Sequence, residues 1–152
     1  MLDTGDTFPS FSLPDQDGKN RTLGDLSGER GLILYVYPKD DTPGCTVEAQ
    51  DFRGQLPALR AKGYEVAGIS KDSAASHCQF IEKYELNFPL LSDEGGEFLA
   101  AVGSFGEKNM YGKMVTGILR STFVIEKDGK LAKVYRNVRA SGHAAKVLAD
   151  LR

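Results

Sequence analysis

The run Gly31-Leu32-Ile33-Leu34-Tyr35-Val36-Tyr37 is apolar throughout and rich in β-formers, and it breaks at Pro38 into the polar stretch Lys39-Asp40-Asp41 that leads to Thr42-Pro43-Gly44-Cys45. Such a run reads as a core strand, placed at 32–37, and Thr followed by Pro reads as a helix N-cap and first helical residue. The helix runs from Pro43 towards Lys62, with Val47, Phe52, Leu56 and Leu59 on its apolar side and Gly63 stopping it. Pro57 removes a backbone donor inside it and predicts a bend near Arg53 and Gly54. A strand at 65–70, a helix opening after Asp72, a strand at 89–91 and a short helix at 95–102 continue the alternation, the mark of parallel crossovers. The last third changes character. Two β-rich runs, 118–126 and 130–134, flank Lys127-Asp128-Gly129 and predict an antiparallel hairpin, followed by a helix at 140–151. Asp15-Gln16-Asp17-Gly18 predicts a second hairpin near the N-terminus. The pattern is α/β, with a mixed central sheet, an N-terminal hairpin and helices on both faces.

A chain of 152 residues fits one domain, 1–152, with a substantial core. Its 19 basic and 21 acidic residues are interspersed, so no footprint for nucleic acid is expected. The clusters at 60–62 and 136–139 read as solvated faces. Apolar runs are too short for a membrane span, and the N-terminus lacks a basic region followed by an apolar core, so a cytoplasmic protein is expected. In that compartment the only two cysteines, Cys45 and Cys78, are not expected to form a permanent disulfide, while a transient one stays open. The two histidines do not complete a zinc-ligand spacing; His77 reads as a surface helix residue and His143 as a helix-start residue, and neither a metal nor a cofactor is expected.

Cys45 falls in the first turn of its helix, where backbone N–H groups and the positive end of the dipole favour a thiolate. Gly44 and Pro43 are turn and cap residues, and 39–41 read as solvent-facing, so the setting is that of a reactive thiol. Arg120 sits at the edge of an otherwise apolar β-segment, Gly117-Ile118-Leu119-Arg120-Ser121-Thr122-Phe123. A guanidinium there needs a carboxylate partner or an anionic site. Glu48, one turn after Cys45, is a partner within reach of either role.

The string P-K-D-D-T-P-G-C-T-V-E-A-Q-D-F-R resembles the active-site segment of peroxiredoxins of the bacterioferritin-comigratory, or Q-type, subfamily, whose pattern P-x-x-x-T-x-x-C is carried by Pro38, Thr42 and Cys45. G-D-x-x-P-x-F-x-L-P-D-Q-D-G, V-A-G-I-S-K-D-S, F-P-L-L-S-D, G-E-K-N-M-Y-G-K and R-S-T-F-V-I-E-K-D-G-K follow the family in order over nearly the whole chain. The resemblance implies a thioredoxin-like fold and a thiol peroxidase acting on hydrogen peroxide and organic hydroperoxides without a cofactor. It implies that Cys45 becomes a sulfenic acid, that Thr42 turns its hydroxyl into the pocket with its proton towards the sulfur, that Pro38 shields the thiolate, and that Arg120 lies beside the sulfur with Glu48 orienting it. It further implies a monomer and a thioredoxin-type reductant.

A sulfenic acid must be captured by another thiol before it oxidises further. The family often keeps a second cysteine five residues after the first, where this chain has Gln50, or one in the next helix at the position of Ile81; here Cys78 stands one turn earlier. Capture by Cys78 and capture by an external thiol both stay open. Parallel crossovers bring the helix openings at Thr42 and Asp72 to one sheet edge, and Cys78 shares a helix face with Ile81. Cys78, Ile81 and Tyr84 read as a buried stripe, so a Cys45–Cys78 bond requires local opening. A thiol–disulfide exchange protein is the competing reading, but it needs C-x-x-C, and Thr42 occupies the first position.

Overall fold

The computed structural model describes residues 2–110 and 112–151; Tyr111, part of one family-like segment, lies outside the described residues. In chain order the elements are β1 (Ser12–Pro14), β2 (Asn20–Thr22), α1 (Leu23–Leu26), β3 (Gly31–Val36), α2 (Pro43–Ala61), β4 (Tyr64–Ser70), α3 (Ala74–Tyr84), β5 (Leu90–Ser92), α4 (Glu97–Ala101), β6 (Phe105–Met110), β7 (Lys113–Ile118), β8 (Ser121–Glu126), β9 (Leu131–Arg136) and α5 (His143–Asp150). The central sheet has five strands in the order β5-β4-β3-β8-β9. β4 is parallel to both β3 and β5, whereas β8 is antiparallel to β3 and to β9.

Every residue of β3 is buried, as its lack of a polar face requires. Alternation divides its side chains between two layers. Ile33, Tyr35 and the following Tyr37 pack with Phe52, Leu56 and Leu59 of α2, Phe80 of α3, and Ala144 and Val147 of α5. Leu32, Leu34 and Val36 pack with Phe8, Phe11, Leu26 of α1 and Leu99 of α4. The mixed sheet, the N-terminal β1–β2 hairpin and helices on both faces are therefore all present. Gly68 of β4 lies opposite Tyr35, and a Cβ there would come 2.9 Å from the tyrosine ring, so this strand position has to be glycine.

Several elements depart from the sequence reading. Val47 points outward, 39% exposed, because Cys45, Ala49, Phe52 and Leu56 already occupy the inward face of α2. The run read as one strand from 118 is interrupted at Leu119 and Arg120, which join β7 to β8. The hairpin of β6 and β7 and the short α1 were not anticipated, although Thr22 and Asp25 form a capping box that marks where α1 starts. Arg136, read as part of a solvated face, instead donates to the carbonyls of Leu2 and Val102.

His143 opens α5 as expected but is buried, with Nε2 2.8 Å from the Thr122 hydroxyl. Burial, helped by the nearby positive charges of Lys146 and Arg120, pushes its pKa down from 6.5 to about 4. The folded state therefore binds the proton less well than the unfolded chain. The stability this contributes is present above 6.5 and is lost as pH falls through about 4. Compared with His143→Gln in urea titrations, the wild-type protein should lose about 3 kcal/mol of relative stability over that acid window and almost none between pH 7 and 8. A constant difference at all pH values would show that the imidazole does not titrate with folding.

Candidate active site

β3 ends where Pro38 removes a strand donor, and the loop 38–42 turns the chain into α2. Thr42 is the N-cap, with extended backbone (φ −96, ψ 156), and Pro43 occupies the first turn. The Thr42 hydroxyl makes no cap bond; it donates to the Lys39 carbonyl at 2.8 Å. Its proton is thus turned to the loop and not to the sulfur, because the carbonyl three residues back is the acceptor within reach. The first helical bond runs from Thr46 N–H to the Thr42 carbonyl at 2.8 Å. The N–H groups of Gly44 and Cys45 precede it, at the positive end of the helix.

Cys45 is buried, with 1% of its surface exposed. Arg120 reaches it from the connection between β7 and β8, where the backbone is fixed on both sides: Leu119 N–H donates to the Ser104 carbonyl at 2.7 Å, and the Arg120 carbonyl accepts from Val138 N–H at 3.1 Å. Arg120 Nη2 lies 3.4 Å from Cys45 Sγ, and Nη1 donates to Glu48 Oε1 at 2.5 Å. One guanidinium therefore spans the thiol and the carboxyl. A Cβ on Gly44 would stand 3.2 Å from Arg120 Nη2, so a side chain at 44 would crowd the guanidinium.

Glu48 is fully buried, and its Oε2 has no hydrogen-bond partner among the described residues. Burial pushes its carboxyl up to about 7, against the opposite pull of Arg120. For Arg120, burial works against the charge, but Glu48 and Cys45 outweigh it and hold the guanidinium above its ordinary value.

The structure thus brings Cys45, Arg120, Glu48 and Gly44 together, with Thr42 at the cap; Pro38 is exposed. Cys78 is not in the site. It is a free, exposed cysteine on α3, and Ile81 and Tyr84 are only partly buried. The buried positions of α3 are His77 and Phe80, one residue out of phase with the expected stripe. His77, expected at the surface, is fully buried, and Asp40, expected to face solvent, is 7% exposed. Ligand-type atoms of Asp40, Asp72 and His77 lie within 4.8 Å of one another. His77 in register with Phe80 was the available sign, but a polar residue one turn from an aromatic carries little information by itself.

The AhpC/TSA family matches residues 4–134. A putative peroxiredoxin of Mycobacterium tuberculosis is 49% identical over 150 residues, spanning 99% of this chain and 95% of the relative. Peroxiredoxin Bcp of Escherichia coli is 45% identical over 147 residues, spanning 97% and 94%. Among solved structures, a mutant PrxQ of Xylella fastidiosa superposes with a TM-score of 0.90 at 36% identity over 99% of this chain and 96% of that one. The bacterioferritin comigratory protein of Xanthomonas campestris gives 0.85 at 42% identity over 93% and 89%. The sheet is that of thioredoxin-fold peroxiredoxins, and the chain belongs to the AhpC/TSA family as a peroxiredoxin of the Bcp and Q type, a thiol peroxidase.

Proposed function

We propose that Cys45 is the peroxidatic residue and that Arg120, Thr42, Gly44 and Glu48 form the machinery around it. The observation that supports this most directly is the guanidinium shared between Cys45 Sγ and Glu48 Oε1. The Cys45 thiolate attacks one peroxide oxygen; the S–O bond forms as the O–O bond breaks, the products being a sulfenic acid and hydroxide or alkoxide, which takes a proton from solvent. Arg120 and the first-turn N–H groups of α2 offset the charge on the departing oxygen. The Thr42 proton is occupied by the Lys39 carbonyl, which leaves its oxygen to accept from the peroxide O–H. Pro38 brings no N–H to the loop. The substrates are hydrogen peroxide and organic hydroperoxides; the solved Xanthomonas relative is described by its alkyl peroxide reduction activity.

Resolution falls to Cys78. The sulfenic acid and the Cys78 thiol condense to a disulfide and water, which a thioredoxin-type dithiol then reduces. Cys45 on α2 is buried and Cys78 on α3 is turned to solvent, so the disulfide calls for one or both helices to open. Capture by an external thiol is the second reading, favoured by that same outward exposure of Cys78. The described residues include no helix long and apolar enough to cross a membrane. We take the whole chain, 1–152, as one cytoplasmic, monomeric catalytic domain without nucleic-acid or membrane partners, and without metal or cofactor.

Cys45→Ser should abolish peroxide consumption, and substantial residual turnover would overturn the assignment. Arg120→Ala should slow Cys45 oxidation about 100-fold and move the pH dependence of its alkylation upward. Gly44→Ala, which only displaces the guanidinium, should do the same more weakly, by about tenfold. Unchanged oxidation and alkylation in both would make the arginine structural. After one equivalent of peroxide, intact mass with and without thiol alkylation should reveal a Cys45–Cys78 disulfide in wild type and a sulfenic acid in Cys78→Ser. Equal turnover in the two proteins, with no disulfide, would establish the external-thiol route.

A further inference from the structure

Two consecutive loop residues, Asp40 and Asp41, are tied to α3 by side chains at opposite ends of that helix. Asp40 accepts from the Tyr37 hydroxyl at 2.5 Å and the Ser76 hydroxyl at 2.8 Å, and its Oδ2 lies 2.7 Å from His77 Nδ1. Its backbone N–H donates to Asp72 Oδ2 at 2.9 Å, which also accepts from the Ser70 hydroxyl at 2.6 Å. His77 Nε2 is 2.9 Å from the Leu91 carbonyl. A carbonyl only accepts, so Nε2 is the donor there, and Nδ1 faces the Asp40 carboxylate and, at 3.3 Å, the Tyr37 hydroxyl. Asp41 takes a left-handed backbone (φ 57), unusual for a residue with a Cβ, and its carboxylate accepts from Lys83 Nζ at 2.8 Å and the Tyr84 hydroxyl at 2.7 Å. The next residue is Thr42, the cap of α2.

None of these groups touches the reacting sulfur, yet they fix the loop from which Thr42 and the first turn of α2 depart. We propose that Asp40 and His77 are positioning residues of the peroxidase site: their buried contact seats loop 38–42 on α3, holds Thr42 and the α2 N-terminus in place for attack on peroxide, and must break before Cys45 can meet Cys78. The second part rests on the reading of Cys78 as the resolving thiol; the first does not. The two parts give opposite signs. The contact speeds oxidation, which needs the closed arrangement, and retards disulfide formation, which needs the open one.

The test separates the steps by quenching with acid and alkylating. In Asp40→Asn and His77→Ala the rate constant for loss of the Cys45 thiol should fall about tenfold, while conversion of sulfenic acid to disulfide rises severalfold. His77→Asn, whose amide can keep a polar contact with Asp40, should recover much of the oxidation rate. Backbone amides of 38–46 and of α3 should exchange with deuterium faster in parallel. Should the buried variants not fold, Ser76→Ala, which deletes one part-buried hydrogen bond to Asp40, tests the same sign with a smaller effect. Unchanged oxidation in folded variants overturns the proposal, and so does a fall in both rates together, the signature of a merely destabilised fold. If wild type forms no disulfide, the Cys78 reading fails, and the oxidation and exchange measurements still decide whether the pair positions the site.

Discussion

The guanidinium of Arg120 is the contact on which the site depends, because three otherwise unfavourable burials become compatible through it. Glu48 is a carboxyl with no exposure, Cys45, on our proposal the thiol that ionises, is 1% exposed, and Arg120 itself carries a charge largely out of water. Any one alone would be costly. Together, Nη1 serves the carboxyl and Nη2 the sulfur. The rest of the fold holds this triplet in register. α2 sets Cys45 and Glu48 one turn apart on its inward face, Gly44 brings no side chain to crowd the guanidinium, and the break between β7 and β8 releases Arg120 from strand geometry.

The same arrangement bears on where α2 leaves the sheet. β3 lies between its parallel neighbour β4 and its antiparallel neighbour β8, so its C-terminal end adjoins both the end of β4 and the start of β8. Val36, the last residue of β3, pairs with Ser121, the residue after Arg120. Cys45 from the chain leaving β3, Arg120 from the chain entering β8, and Asp72 and His77 from the chain leaving β4 therefore gather at one edge. A mixed sheet is needed for this: with β8 parallel to β3, Arg120 would lie at the far end of the strand.

Much of this was legible in the sequence because it is written in local chemistry. The uninterrupted apolar run of β3, Thr-Pro at the helix start and Gly63 after its end are steric and hydrogen-bonding signals confined to a few residues. The pairing of Arg120 with Glu48 was legible for a different reason, since a cation in an apolar segment has to find an anion. The misses are those in which a tertiary partner overrides local pattern. Val47 is apolar yet exposed, because the inward arc of α2 was already filled. Asp40 and His77 look like surface residues, and they are buried because partners from other elements, each other among them, satisfy their polar atoms. Thr42 was expected to aim its proton at the sulfur, but its hydroxyl donates to a carbonyl within its own loop.

The pair Glu48–Arg120 has a further consequence for how the site behaves near neutral pH. Burial pushes Glu48 up to about 7, so its charged form depends on the same guanidinium that faces the thiol. Two potential anions share one cation, and a negative charge on the sulfur repels one on the carboxylate, which favours keeping the proton on Glu48. In the proposed site Glu48 therefore does more than orient Arg120: it keeps the guanidinium buried and in place while the sulfur changes charge, and its Oε2, without a partner among the described residues, is the oxygen free to carry a proton.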